Sequence, residues 1–150
     1  PQQALSADAI RHLMDNPLNW VFCWASGQVL ANLLLTRPEW VRDKRILDFG
    51  CGSGVAAIAA ALAGAAEVIA CDVDPDALEA TRGNAALNNV ELQLAPDYRE
   101  VVGPLDLIIV SDVLYDRSNL SWLTRFADRA GQVLVADSRI RDSGRSRVVK

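Results

Sequence analysis

Residues 44–74 read KRILDFGCGSGVAAIAAALAGAAEVIACDVD, and no other stretch limits the fold as tightly. Ile46, Leu47 and Phe49 make a short apolar strand, and Gly50, Gly52 and Gly54 make a turn. Residues 55–62 contain no helix breaker and are dominated by Ala, the best helix former. Val68, Ile69 and Ala70 begin a second strand, and Asp72 follows it, 22 residues after Gly50. Strand, glycine turn, helix, strand and acid make one βαβ nucleotide-binding half. In such a unit the ligand lies over the helix N-terminus and the acid reaches ribose hydroxyls.

The spacing of the glycines narrows the ligand. A dinucleotide site uses G-x-G-x-x-G, but here the third glycine comes one position early and Val55 stands in its place. A phosphate-cradling P-loop needs Gly-Lys-Ser/Thr after four intervening residues, and the chain has no such run. The G-x-G-x-G turn brings backbone close to a ligand without a dedicated pyrophosphate cradle, which suits a nucleoside lacking phosphates. A plain strand–helix turn with glycines for steric reasons is the alternative; the acid after the second strand weighs against it. The run Leu47-Asp48-Phe49-Gly50-Cys51-Gly52-Ser53-Gly54 resembles the LDxGxGxG motif of class I S-adenosylmethionine-dependent methyltransferases. That resemblance implies a seven-stranded, Rossmann-like fold.

Composition fits one soluble domain. With 150 residues the chain is long enough for a real core. Apolar residues make up 51%, much of it Ala, yet no apolar run approaches the ~20 residues that span a bilayer. The start, PQQALSADAIRH, is polar and carries no signal-peptide pattern; beginning at Pro1, it reads as processed or incomplete at that end. Cys23, Cys51 and Cys71 form no C-x-x-C pair, and His12 is the sole histidine, so zinc is not expected. Strand-adjacent, unpaired thiols point to a reducing, cytoplasmic setting. The net charge is −4, with the acidic excess in residues 1–138 and a basic tail from Arg139 onward. An acidic body disfavours nucleic acid and favours a cationic substrate. The tail reads as a solvated end.

Elements alternate along the chain. Ser6 caps an expected helix over 7–15, stopped by Asn16-Pro17. Residues 18–26 form a loop carrying Trp20, Phe22 and Trp24, and a helix follows over 27–36 with Val29, Leu30, Leu33 and Leu34 inward. Strands are expected at 45–49, 67–71, 90–94, 105–110 and 133–136, with Gly131-Gln132 before the last. The helix over 55–63 is closed by Gly64. Asp74-Pro75 caps a helix running to Leu87 with Ala77, Leu78, Thr81 and Ala85 inward, and another helix covers 119–129. This order predicts a doubly wound, mostly parallel α/β sheet, in one domain: N-terminal helices over 5–36, a nucleotide-binding core over 44–138 and the basic tail 139–150. Five strands fall short of the usual seven, so either C-terminal strands are missing or the sheet is trimmed at one edge; the aggregation risk of a bare edge strand favours the first.

Two further segments narrow the resemblance. Ser111-Asp112-Val113-Leu114-Tyr115-Asp116 places a D-x-x-Y after the fourth strand, similar to the post-strand motif of seven-strand protein lysine methyltransferases. Trp24-Ala25-Ser26-Gly27-Gln28-Val29-Leu30 resembles the W-x-x-G-x-x-L segment ahead of their nucleotide half. Within that group the chain, over roughly 16–144, is most similar to the electron-transfer-flavoprotein β-subunit lysine methyltransferases. The likeness implies a protein substrate with an accessible lysine and S-adenosyl-L-methionine as methyl donor, leaving S-adenosyl-L-homocysteine. It implies Asp112 and Tyr115 as catalytic residues: Asp112 holds the incoming ammonium and Tyr115 walls the lysine channel. Gly50, Cys51, Gly52 and Ser53 lie against the methionine portion, Asp48 orients that loop, Asp72 takes the ribose hydroxyls and Val73 covers an adenine face. Asp97 meets the adenine amino group or simply makes a turn, and Trp24 packs on the methionine end or anchors the N-terminal helices.

Three other readings compete. Residues 50–90 also look like the ribosomal protein L11 methyltransferases, whose post-strand motif is Asn-rich where this chain has Asp112 and Tyr115. A non-catalytic nucleoside-binding partner subunit is disfavoured by the intact Asp112 and Tyr115. A nicotinamide-dependent oxidoreductase is disfavoured by the glycine spacing.

Overall fold

The computed structural model describes residues 21–113 and 120–137. The expected helix over 7–15 and the basic tail lie outside the described residues. Helix α1 spans Ala25–Thr36, a 3-10 turn follows at Pro38–Trp40, and the α/β core begins. Its elements are β1 (Arg45–Phe49), α2 (Val55–Leu62), β2 (Glu67–Cys71), α3 (Pro75–Leu87), β3 (Gln93–Ala95), a 3-10 turn at Tyr98–Glu100, β4 (Leu105–Ser111), α4 (Leu120–Arg129) and β5 (Ala130–Ala136). The strands form one sheet in the order β3-β2-β1-β4-β5, and every neighbouring pair is parallel. The expected doubly wound α/β architecture is therefore present.

Alternate strand residues feed two apolar layers, as the two-residue period of a strand requires. Ile46, Val68, Ala70, Leu107 and Ile109 pack with Leu30 and Leu34 of α1 and Ala56, Ala57 and Ala60 of α2. Leu47, Ile69, Ile108 and Val110 face the opposite layer, with Tyr98 and Phe126. Phe49 meets Phe126 edge-on at 4.8 Å there, and Trp122 stacks on Phe126 at 5.9 Å. Helix α2 is apolar nearly all round, and its alanines are buried on several sides. Such a helix belongs inside the fold, where small side chains let the sheet and α1 come close.

Helix ends follow the predicted signals. Asp74 accepts the Asp76 amide at 2.9 Å through its side chain, with Pro75 at the first helical position. Gly64, at φ 94°, closes α2 in a Schellman motif: its N–H donates to the Ala61 carbonyl and that of Ala65 to the Ala60 carbonyl, both at 3.1 Å.

Three element starts differ from expectation by two residues or more. Asn89 takes the left-handed conformation at φ 54° and closes α3 in the same motif, which sends the Val90 N–H to the Ala85 carbonyl. Val90 therefore terminates the helix, and β3 starts only at Gln93. Strand β5 begins at Ala130 rather than Val133, because the pairing with β4 runs from Leu105 opposite Ala130 and Leu107 opposite Gln132. Gly131 therefore lies inside the ladder. Helix α1 starts two residues early, at Ala25. Its inner stripe is Ser26, Leu30 and Leu34, so Val29 turns outward and is 63% exposed.

Candidate active site

The strand order reverses between β1 and β4. Loops after these strands leave in opposite directions and open a crevice beyond the carboxyl ends, the usual ligand position in such sheets. A cavity of about 700 Å³ occupies it. Its walls are residues 50–53 after β1, 72–74 after β2, 97–99 after β3 and 111–113 after β4, with Phe22, Cys23, Trp24 and Gly27 at the start of α1 and Trp122 and Arg125 from α4.

The glycine turn is held in place atom by atom. Gly50 and Gly54 sit at φ 71° and 83°. A Cβ on Gly50 would meet Val113 Cγ2 at 2.7 Å, and one on Gly54 would meet Thr81 Cγ2 at 2.8 Å. The Gly52 N–H donates to Asp72 Oδ2 at 2.9 Å, the Thr81 hydroxyl donates to the Gly52 carbonyl at 2.9 Å and the Asn84 amide donates to the Ser53 carbonyl at 2.8 Å. Asp72 Oδ1 accepts the Asp74 N–H at 3.0 Å. Each carboxylate oxygen of Asp72 thus takes one backbone amide. A carboxylate offers about four lone-pair sites, so roughly two remain for hydroxyl groups of a ligand.

Asp48 does a different job from the one its neighbours suggest. It is 1% exposed and does not line the cavity. Its Oδ2 accepts the Ala57 N–H at 3.0 Å, in the first turn of α2. Gly54 at the N-cap of α2 has no side chain to offer, so Asp48 supplies the capping acceptor from the adjoining strand. Asp48 Oδ1 is buried without a hydrogen-bond partner. Burial raises its pKa from 3.8 to about 7, partly opposed by the Ala57 amide and reinforced by the negative charge of Asp72.

The remaining predicted residues fall as follows. Gly50, Cys51, Gly52, Ser53, Asp72, Val73, Asp97, Asp112 and Trp24 all line the cavity. Val73 is 87% exposed there. Trp24 is 40% exposed, edge-on to Phe22 at 5.8 Å, so it belongs to the mouth of the cavity rather than to the core. Asp97 is bound by Arg99, whose Nε donates to Oδ2 at 2.9 Å and whose backbone N–H donates to Oδ1 at 2.8 Å. Those bonds hold the Asp97 carboxyl below its ordinary pKa. Cys51 and Cys71 are buried and their thiols are pushed up, chiefly by desolvation, Cys71 to about 12. Asp112 directly follows β4 at φ 50°, its N–H donating to the Ala136 carbonyl at 2.9 Å and its Oδ1 accepting the Ser26 hydroxyl at 2.8 Å. Tyr115 lies outside the described residues. Among the described residues no cluster of His, Cys, Asp or Glu is placed to hold a metal ion, and no helix is long and apolar enough to cross a membrane.

Sequence reasoning missed Ser26, Thr81, Asn84 and Phe22. Thr81 carried a weak signal, a hydroxyl in an otherwise apolar stripe of α3; Asn84 follows it on the same helix and carried none. Trp122 both packs against the core and reaches the cavity wall.

Residues 32–144 match the family model described as ribosomal protein L11 methyltransferase (PrmA). The electron transfer flavoprotein beta subunit lysine methyltransferase of Xenopus laevis is 41% identical over 126 residues, covering 79% of this chain and 51% of the relative. The chain thus spans about half the length of that protein. The crystal structure of the ribosomal protein L11 methylase from Lactobacillus delbrueckii subsp. bulgaricus superposes with a TM-score of 0.66 at 30% identity, covering 76% of this chain and 61% of the other. A tRNA (uracil-54, C5)-methyltransferase from Pyrococcus abyssi, solved in complex with S-adenosyl-L-homocysteine, superposes at 0.56 with 27% identity, covering 74% of this chain and 29% of the other.

Proposed function

The chain belongs to the PrmA family of methyltransferases, and from that premise we propose that it carries the catalytic core of an S-adenosylmethionine-dependent enzyme that methylates a lysine side chain of a protein, the electron transfer flavoprotein β subunit first among substrates. One observation carries the reading. Asp72 stands at the crevice between the glycine turn and the β2 loop, both its oxygens already oriented by backbone amides and each with acceptor capacity left for a ribose hydroxyl.

The cavity suits this donor. Its floor is the glycine turn, and its walls supply Val73 for an adenine face. Gly50 and Gly52 would lie against the methionine portion, with Trp24 over its end. Asp97, engaged by Arg99, would form the adenine end of the wall more as a shaped edge than as a free acceptor. When bound, the donor supplies a methyl group already activated on a sulfonium sulfur.

Everything else falls to positioning and to the acceptor's proton. Lysine is protonated at neutral pH, with a reference pKa of about 10.4, and its nitrogen has no lone pair until that proton leaves. Asp112, at the opposite wall from Asp72, would bind the ammonium and keep the neutral amine aimed after deprotonation. Once solvent has taken the proton, the amine held by Asp112 would accept the methyl group, an N–C bond replacing the donor's C–S bond. Tyr115 would close the lysine channel. An acidic cavity holding Asp72, Asp74 and Asp112 attracts both the sulfonium and the ammonium.

A second reading, methylation of ribosomal protein L11, is favoured by the family model itself. The acid at 112 speaks for the lysine-directed group. Calorimetric titration with S-adenosyl-L-homocysteine, followed by labelled methyl transfer to purified flavoprotein β subunit and to L11, tests both. Binding with label in the flavoprotein subunit is expected. Label in L11 alone selects the second reading, and failure to bind refutes the site. Asp112→Asn should abolish transfer and leave cofactor affinity intact.

A further inference from the structure

We propose that Ser26 is a positioning residue for the methyl acceptor: its hydroxyl fixes one oxygen of Asp112 and so sets where the carboxylate meets the incoming amine. The inference rests on the reading of Asp112 given above. Four observations carry it. Ser26 Oγ donates to Asp112 Oδ1 at 2.8 Å, across a separation of 86 residues. Ser26 is 5% exposed and, unlike Asp112, does not line the cavity, so it acts through Asp112 and not on a ligand. The Asp112 backbone is pinned at φ 50° and by its N–H to Ala136, so the Ser26 bond to Oδ1 acts on the side chain's rotation and not on the main chain. Finally, Ser26 is the second residue of α1, whose N-cap Trp24 gives no side-chain cap and whose first turn has no acid. The α1 N-terminus therefore presents an uncompensated positive end, and Asp112 supplies the negative charge from the end of β4.

A hydroxyl-to-carboxylate bond in a water-poor setting is worth more than one at a surface. Without it, the half-buried carboxylate keeps its place in the chain but loses the bond that holds Oδ1. The acceptor amine would still bind by charge, but less often in line with the methyl group. The loss would appear in turnover and not in affinity.

The test compares Ser26→Ala, Ser26→Thr and Ser26→Cys in the full-length protein, with flavoprotein β subunit as acceptor and Asp112→Asn as control. Ser26→Ala should lower kcat roughly ten- to hundredfold, the range for a lost hydrogen bond to a charged group. Its KM for the acceptor and its affinity for S-adenosyl-L-homocysteine should stay near wild type, and its Tm should fall by only a few degrees, leaving it folded at the assay temperature. Ser26→Thr, which keeps the donor, should recover most of the turnover. Ser26→Cys, close in size but a weak donor, should resemble Ser26→Ala even if the threonine is too large for the site. Unchanged kcat in Ser26→Ala and Ser26→Cys, beside an inactive Asp112→Asn, overturns the positioning role alone. A fall in Tm or in cofactor affinity that accounts for the whole loss also overturns it. An Asp112→Asn protein with full turnover overturns the parent reading as well.

Discussion

Asp48→Asn should change how stability depends on pH. In the folded protein the Asp48 carboxyl titrates at about 7 instead of 3.8, because burial disfavours its charge and Asp72 repels it, while the Ala57 amide only partly compensates. Between those two values the folded chain keeps a proton that the unfolded chain has released. Stability from Asp48 is therefore complete below about pH 4 and lost as pH rises through about 7. Each unit of pH inside the window removes about 1.4 kcal/mol, so the step from pH 5 to pH 7 removes roughly 2 kcal/mol once rounding near the midpoint is allowed for. Asparagine carries no charge at any pH and can accept the Ala57 N–H with its carbonyl. Its NH₂ group would occupy the place of the unpartnered Oδ1, a fixed penalty of about 1–3 kcal/mol that does not vary with pH. The absolute offset between the two proteins thus depends on how the amide settles, but the change in that offset does not. Urea unfolding of both proteins at pH 5, 6, 7 and 8, with equal m-values, should show the variant gaining on wild type by roughly 2 kcal/mol from pH 5 to 7 and then holding. Parallel curves across that range would refute the argument and mean that Asp48 is ionised in the folded state.

Other expectations follow from the same contacts. Asp72→Ala removes the acceptor of two loop amides together with the proposed ribose contacts, and should weaken S-adenosyl-L-homocysteine binding by about 1–3 kcal/mol in calorimetry; unaltered affinity would take Asp72 out of the site. A maleimide should label one thiol in the native protein, the exposed Cys23, and reach Cys51 and Cys71 only after unfolding; native labelling of Cys51 would contradict its burial. Gly54→Ala forces a side chain into a left-handed position and against Thr81 at 2.8 Å, so thermal melts should show a loss of about 2 kcal/mol or more; a melting curve like wild type would mean that the turn is not held as described.

The cavity's acids were legible because topology alone places them. Once β1, β2 and β4 are parallel and adjacent, the residues after their carboxyl ends converge, and Asp72 and Asp112 need no further information. Asp48 was legible as a loop organiser, but its work is to cap α2 across space, which only the packing of that helix on β1 reveals. Ser26 and Asn84 were illegible for the same reason: each meets its partner through tertiary contact, one across 86 residues and one across 31. Local chemistry misled in two places. Asn88-Asn89 announced a helix end, but not that the motif would consume the Val90 amide and delay β3. Gly131-Gln132 read as preceding the last strand, but in the fold both lie inside β5.

The fastening of the glycine turn bears on how fast, as well as how tightly, a ligand is taken up. Asp72, Thr81 and Asn84 hold its amide and carbonyl groups from outside the turn before anything is bound. A loop that had to order on contact would lose about 1–2 kcal/mol of backbone entropy per residue from the gain of binding, and would make uptake wait on its closure. Here that ordering is complete at the folding step. Uptake should show a single phase, and the Gly52 amide should exchange slowly with solvent deuterium in the ligand-free protein, its protection rising little when the cavity fills.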